Sequence, residues 1–147
     1  MSMLARKRFA AMAGKLKESG LKSTPQRLAI MRVLAENNGH PSVEEICRSL
    51  RRRFPGISQA TVYRNIMLIK SLGEAVEIAL AGTGSRYDGR KPYPHPHIVC
   101  LECGKIIDPE LESLRDMTRE ITAASGFEIK TFRLDFFGTC PACSKKK

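Results

Sequence analysis

Four of the five cysteines fall into two Cys-x-x-Cys pairs, Cys100/Cys103 and Cys140/Cys143, with 36 residues between them. A two-residue spacer lets both thiolates of a pair face one centre, and two such pairs complete a tetrahedral cage for Zn²⁺. A single pair could be a thioredoxin-like redox dithiol, but that motif places one pair at the start of a helix inside a βαβ unit. Here there are two, with Gly104 or Pro141 at their turns. The expected group is a structural Zn²⁺ held by Cys100, Cys103, Cys140 and Cys143. Cys47, the fifth, shares an apolar stripe with Val43, Ile46 and Leu50 and reads as a core residue.

The chain has three histidines, His40, His95 and His97. Side chains at i and i+2 of an extended segment share a face, so His95-Pro96-His97 presents two imidazoles to one side. Asp88 upstream and Asp108 downstream add carboxylates. A set of imidazoles and carboxylates without thiolate suits Fe²⁺ or Mn²⁺, although Zn²⁺ binds the same donors. His40 joins them only if two domains meet at the linker between them. By spacing alone each residue also has a plainer reading: His40-Pro41 as interhelical loop, Asp108-Pro109 as the cap and first residue of a helix.

The elements that must position these residues follow from capping and periodicity. Thr24-Pro25 is an N-cap with proline at the first helical position, Ser42-Val43-Glu44-Glu45 is a capping box, and Ser58 caps a third helix with the stripe Val62, Ile66, Ile69. Val76, Ile78 and Leu80 alternate along a strand, with a turn at Gly82-Thr83-Gly84 and a return through Ser85-Arg86-Tyr87-Asp88. Three helices and a hairpin make a winged helix-turn-helix. Prolines 92, 94 and 96 then favour a stiff, extended linker. Beyond it the pattern predicts a strand near His97, a helix over about 109–125 and strands across 127–137. The fold class is α+β, with a winged-helix DNA-binding domain at 1–88, a hinge at 89–96 and a small zinc-stabilised α/β dimerisation domain at 97–147.

Charge separates the two parts. Residues 1–90 carry 16 Lys/Arg against 7 Asp/Glu, whereas residues 91–147 carry 9 against 8. A one-sided positive field points to a polyanion, nucleic acid before membrane, although basic residues also simply solvate helix faces. With 42% hydrophobic and 27% charged residues, wholesale disorder is excluded. No apolar run approaches the roughly 18–20 residues needed to span a bilayer, and Phe9-Ala10-Ala11-Met12-Ala13-Gly14 ends at Lys15, so it reads as an amphipathic helix and not a signal peptide. The expected location is the cytoplasm, without a membrane partner, where cysteines serve as thiols or metal ligands.

Taken together, Thr24-Pro25-Gln26-Arg27, Gly39-His40-Pro41-Ser42, Ser58-Gln59-Ala60-Thr61-Val62-Tyr63-Arg64, Ser85-Arg86-Tyr87-Asp88, His95-Pro96-His97 and the cysteine pairs resemble the ferric uptake regulator (Fur) superfamily over nearly the whole chain. The resemblance implies a homodimeric, metal-dependent repressor. Its N-terminal winged helix binds a palindromic double-stranded DNA operator, its C-terminal domain dimerises, and a regulatory metal at the hinge selects the DNA-competent shape. Asp108 after Gly104-Lys105-Ile106-Ile107 resembles the peroxide-sensing branch (PerR), whose metal set His40, Asp88, His95, His97 and Asp108 match residue by residue. The stretch between Asp88 and His95 runs one residue longer than that branch's pattern, which sets Asp88 apart from the other four. Thr131 and Phe132 stand where iron sensors often carry histidines.

The resemblance further implies that Ser58, Gln59, Thr61, Tyr63 and Arg64, at the start of the third helix, contact DNA, and that His40 and His95 are oxidation-sensitive when Fe²⁺ is bound. Tyr63 has an alternative as a core aromatic and Arg64 as a solvated charge. An iron-responsive repressor of uptake genes would share this architecture. A small metalloenzyme using the His/Asp centre is a third reading. Against it, no general base or nucleophile accompanies the ligands, and the basic half would go unexplained.

Overall fold

The computed structural model describes residues 1–80 and 84–146. The chain separates into two compact units, Met1–Tyr93 and Pro94–Lys147. Of the turn predicted at Gly82-Thr83-Gly84, the first two residues lie outside the described residues.

The first unit opens with α1 (Met3–Glu18), α2 (Pro25–Glu36), α3 (Val43–Leu50) and α4 (Gln59–Ser71), followed by the hairpin β1 (Val76–Leu80) and β2 (Gly84–Asp88). Each helix starts on a hydroxyl. Ser2, Thr24, Ser42 and Ser58 accept hydrogen bonds from the amides of Ala5, Arg27, Glu45 and Thr61, respectively, each satisfying one of the donors a helix leaves orphaned at its first turn. The apolar stripes meet in one core of Met12, Leu16, Ile30, Met31, Leu34, Ile46, Val62, Ile66 and Ile69, all fully buried, with Cys47 among them. The hairpin is antiparallel, Val76 opposite Asp88 and Leu80 opposite Gly84. Its second strand docks on the α2–α3 loop, where the Tyr87 amide donates to the Pro41 carbonyl at 3.0 Å.

Just past β2 the backbone passes close to the core. A Cβ on Gly89 would lie 2.7 Å from Leu34 Cβ and 3.0 Å from the Leu34 carbonyl oxygen, contacts that cannot all relax by side-chain rotation. The Gly89 carbonyl accepts from Arg8 Nε at 2.8 Å, and the same guanidinium pairs with Glu74 at 2.7 Å, tying α1 to this point. Gly89→Ala should therefore destabilise the protein by roughly 1–3 kcal/mol through overpacking, read by urea denaturation; an unchanged midpoint would mean that the backbone yields there at no cost.

The second unit contains β3 (His97–Cys100), β4 (Ile106–Ile107), α5 (Leu114–Ser125), β5 (Asp135–Gly138) and α6 (Pro141–Ser144). Strand order is β4-β3-β5, with β4 antiparallel and β5 parallel to β3. Two differences from the sequence reading have physical causes. The helix starts at Leu114 and not near 109, because the Asp108 carboxylate turns toward His95 and His97 instead of capping Pro109. Of 127–137 only the last residues form strand: β3 already has a neighbour on each side, the Leu134 carbonyl accepts from the His97 amide at 3.0 Å at the edge of β5, and 127–133 takes no place in the sheet. α5 has no buried residue, and Met117, Ile121, Phe127, Phe136 and Phe137 are exposed. Among the described residues no helix is long and apolar enough to cross a membrane.

Candidate metal centres and nucleic-acid face

The thiols of Cys100, Cys103, Cys140 and Cys143 lie within 4.8 Å of one another. Cys100 ends β3, Cys103 and Gly104 form the turn into β4, and Cys140 caps α6, where the Cys143 amide donates to its sulfur. Four sulfurs around tetrahedral zinc at about 2.3 Å stand about 3.8 Å apart, and Cys103 Sγ lies 3.8 Å from Cys140 Sγ. Backbone amides already favour thiolate at Cys100: hydrogen bonds from Cys103 and then from Cys140 bring its pKa down to about 6. Cys143 goes the other way, pushed up to about 12 by its side-chain hydrogen bond with Cys140 and by burial. Four sulfurs converging on one centre make a donor set that fits zinc, whose binding would take the remaining thiols to thiolate.

In the second unit His95 and His97 point their Nε2 atoms at each other, 3.0 Å apart, with Asp108 Oδ1 at 3.5 Å from the first and 3.7 Å from the second. Donors about 2.1 Å from one cation stand about 3.0 Å apart when cis in an octahedron and about 3.4 Å apart in a tetrahedron. The three donors therefore fit a small divalent cation. Both rings are buried. Asp135, which sequence reasoning missed, lies 3.2 Å from His97 Nδ1 and is held by Arg133 at 3.2 Å. Its sequence signal is only a charge at the start of an otherwise uncharged strand.

In the first unit His40 and Asp88 are buried side by side, His40 Nε2 lying 3.2 Å from Asp88 Oδ2. His40 is the one non-glycine among the described residues with positive φ, at 56°. That conformation costs energy for a residue with a Cβ and persists only where surroundings enforce it. Here the flanking Gly39 amide bonds Asn37 Oδ1, and the His40 carbonyl accepts from Arg86. Asp88 is held by the residues after it: the amides of Arg90 and Lys91 donate to Oδ1 at 2.8 and 3.0 Å, an Asx turn that leaves Oδ2 toward His40.

At the start of α4, Ser58 is committed to the cap and also bonds Thr61 Oγ1 at 3.0 Å. Gln59 and Arg64 are exposed, Thr61 is half-buried, and Tyr63 is 50% exposed, so it is not a core aromatic. The run Arg51-Arg52-Arg53 leading toward this helix is also exposed.

The sequence pattern of the ferric uptake regulator family matches residues 18–137. The chain is 35% identical over 134 residues to the peroxide-responsive repressor PerR of Staphylococcus epidermidis, covering 89% of this chain and 87% of that one. Its fold is similar to that of the Helicobacter pylori ferric uptake regulator, with a TM-score of 0.83, 26% identity and coverage of 98% and 97%. It is also similar to PerR of Streptococcus pyogenes, with a TM-score of 0.53, 29% identity and 92% of each chain covered.

Proposed function

Because this chain belongs to the ferric uptake regulator family, whose members are transcriptional regulators and not enzymes, we propose that it is a cytoplasmic, dimeric, metal-dependent repressor that hydrogen peroxide inactivates. The observation that carries this reading is the His95–His97–Asp108 cluster, both of its rings buried, in a unit that also holds a four-sulfur cage, in a chain 35% identical to a peroxide-responsive repressor.

Structural Zn²⁺ occupies the four thiolates and staples the second unit. The regulatory ion is Fe²⁺ or Mn²⁺, taken by His95, His97 and Asp108 from that unit and by His40 and Asp88 from the first. Shared ligands make one arrangement of the two units the favoured one, and DNA binding follows that arrangement. His40 and His95 would hold Fe²⁺ next to their own rings; peroxide would oxidise one imidazole by two electrons, one oxygen entering the ring in place of a hydrogen and the other leaving as water, and bound Fe²⁺ would supply the redox chemistry that opens the O–O bond and be restored at the end. The altered ring no longer donates, and the arrangement is lost. The exposed apolar face of α5 and β5, with 127–133 outside the sheet, supports pairing with a second copy. Two recognition helices related by a twofold axis address a palindromic operator.

The test is selection from a pool of random double-stranded DNA by Mn²⁺-loaded and by metal-stripped protein. Enrichment of inverted repeats only with the regulatory metal present is expected; equal enrichment, or none, overturns the repressor reading. On the selected duplex, Arg64→Ala should weaken binding by about 1–3 kcal/mol if it reads a base, or reduce the salt slope by about one if it grips phosphate. Unchanged affinity and salt dependence would remove Arg64 from the interface.

A further inference from the structure

The second unit holds a carboxylate for which the ligand set has no use. Asp135 is largely buried, its side chain 14% exposed, and lies opposite His97 in the parallel register of β3 and β5. Its Oδ1 is 3.2 Å from His97 Nδ1, and its Oδ2 is 3.2 Å from Arg133. A carboxylate ion paired with a guanidinium only accepts hydrogen bonds. The proton between Asp135 and His97 therefore belongs to Nδ1, and a ring that binds a cation does so through Nε2, the atom that faces His95 at 3.0 Å. One side of the imidazole is fixed by the sheet while the other is left as a donor.

We infer that Asp135, braced by Arg133, is a positioning residue that locks His97 as the Nδ1–H tautomer with Nε2 directed at the regulatory cation. This rests on the proposed metal site. Outer carboxylates of this kind set tautomer and ring orientation and raise the basicity of the ligating nitrogen, and their removal weakens metal binding by roughly ten- to hundredfold. Parallel pairing is what makes the arrangement possible, because Asp135 and His97 are 38 residues apart and meet only through strand register.

The experiment uses full-length, zinc-loaded protein. Wild type, Asp135→Ala and His97→Ala are titrated with Co²⁺ as a spectroscopic probe and with Mn²⁺, and the tautomer of His97 is read by ¹⁵N NMR before the titrated ion is added. Zinc content and thermal midpoint report whether each variant is folded. Wild-type His97 is expected to be protonated at Nδ1. Asp135→Ala should lose that preference and bind Mn²⁺ roughly ten- to hundredfold more weakly, with zinc content and the Co²⁺ spectrum per bound ion unchanged. Asp135→Asn, which keeps an acceptor, should recover part of the loss.

Two results would sink the role of Asp135 while leaving the metal site standing. In one, His97→Ala abolishes binding but Asp135→Ala binds as wild type with the same tautomer. In the other, Asp135→Ala changes the Co²⁺ spectrum per bound ion, which makes Asp135 a direct ligand. If His97→Ala binds Mn²⁺ as wild type does, the metal site itself is wrong and the inference falls with it.

Discussion

Cys103→Ser is expected to leave the protein without its zinc and with its second unit unfolded. That unit buries few apolar side chains, chiefly Val99 and Ile106 alongside Cys100 and Cys143, and its helix α5 buries none. A domain of this size with so small a core needs a staple. Structural zinc contributes apparent binding energies of about 10–16 kcal/mol near neutral pH in small zinc-folded peptides. Cys103 is the exposed member of the four, so its replacement by serine leaves no hole in packing and the loss reports the metal. Even ~3 kcal/mol would lower the thermal midpoint by roughly 6–12 °C for a chain of this length. Zinc content by mass spectrometry, thermal melting and dimer mass are the measurements. Full zinc content with an unchanged midpoint would show that the four thiols are not a structural site.

The second large effect is expected from peroxide. Iron-loaded protein on its selected duplex should release DNA after brief exposure to micromolar peroxide, and a peptide containing His40 or His95 should gain one oxygen atom. The manganese-loaded protein should hold its DNA. Coupling between a regulatory ligand and a second site commonly amounts to roughly 5- to 150-fold in affinity, which sets the scale of the loss. Asp108→Glu should keep metal-dependent binding while blunting the oxidation, since the longer carboxylate reaches a cation differently from the position 3.5 Å from His95 Nε2 that Asp108 holds. If the iron form keeps its DNA with both histidines unmodified, iron-responsive repression takes the place of peroxide sensing.

What could be read ahead of the structure was whatever is written in local chemistry. Thr24, Ser42 and Ser58 were legible as caps because a hydroxyl reaches an amide three residues on, and all three make that bond. The four cysteines were legible because their spacing reflects the geometry of the metal they would bind. The start of α5 was not: Asp108-Pro109 has the form of a cap, and only contact with His95 and His97 shows that the carboxylate is used elsewhere. Strand across 127–133 was expected from pattern, yet strand needs a partner as well as a pattern, and β3 already has a neighbour on each side. β4 and α6 are too short, at two and four residues, to show a period at all. Asp135 was invisible because its meaning comes from register, and register is a property of two strands.

β3 is a strand of only four residues, and it begins with His97 and ends with Cys100. The two kinds of proposed metal ligand thus sit about 10 Å apart on one strut, at about 3.3 Å per residue. β5 repeats the arrangement, with Asp135 at its start and Cys140 two residues past its end. Whatever frays this strand pair from the zinc end also disturbs the ring at the other end. Occupancies at the two ends are then linked, and linkage of binding free energies is reciprocal. Zinc should be the first ion loaded during maturation, and a filled regulatory site should in return slow zinc loss to a chelator. An oxidant strong enough to strip the thiolates would erase the sensor together with its scaffold, so a response confined to the regulatory site belongs to oxidants too mild to reach the sulfurs.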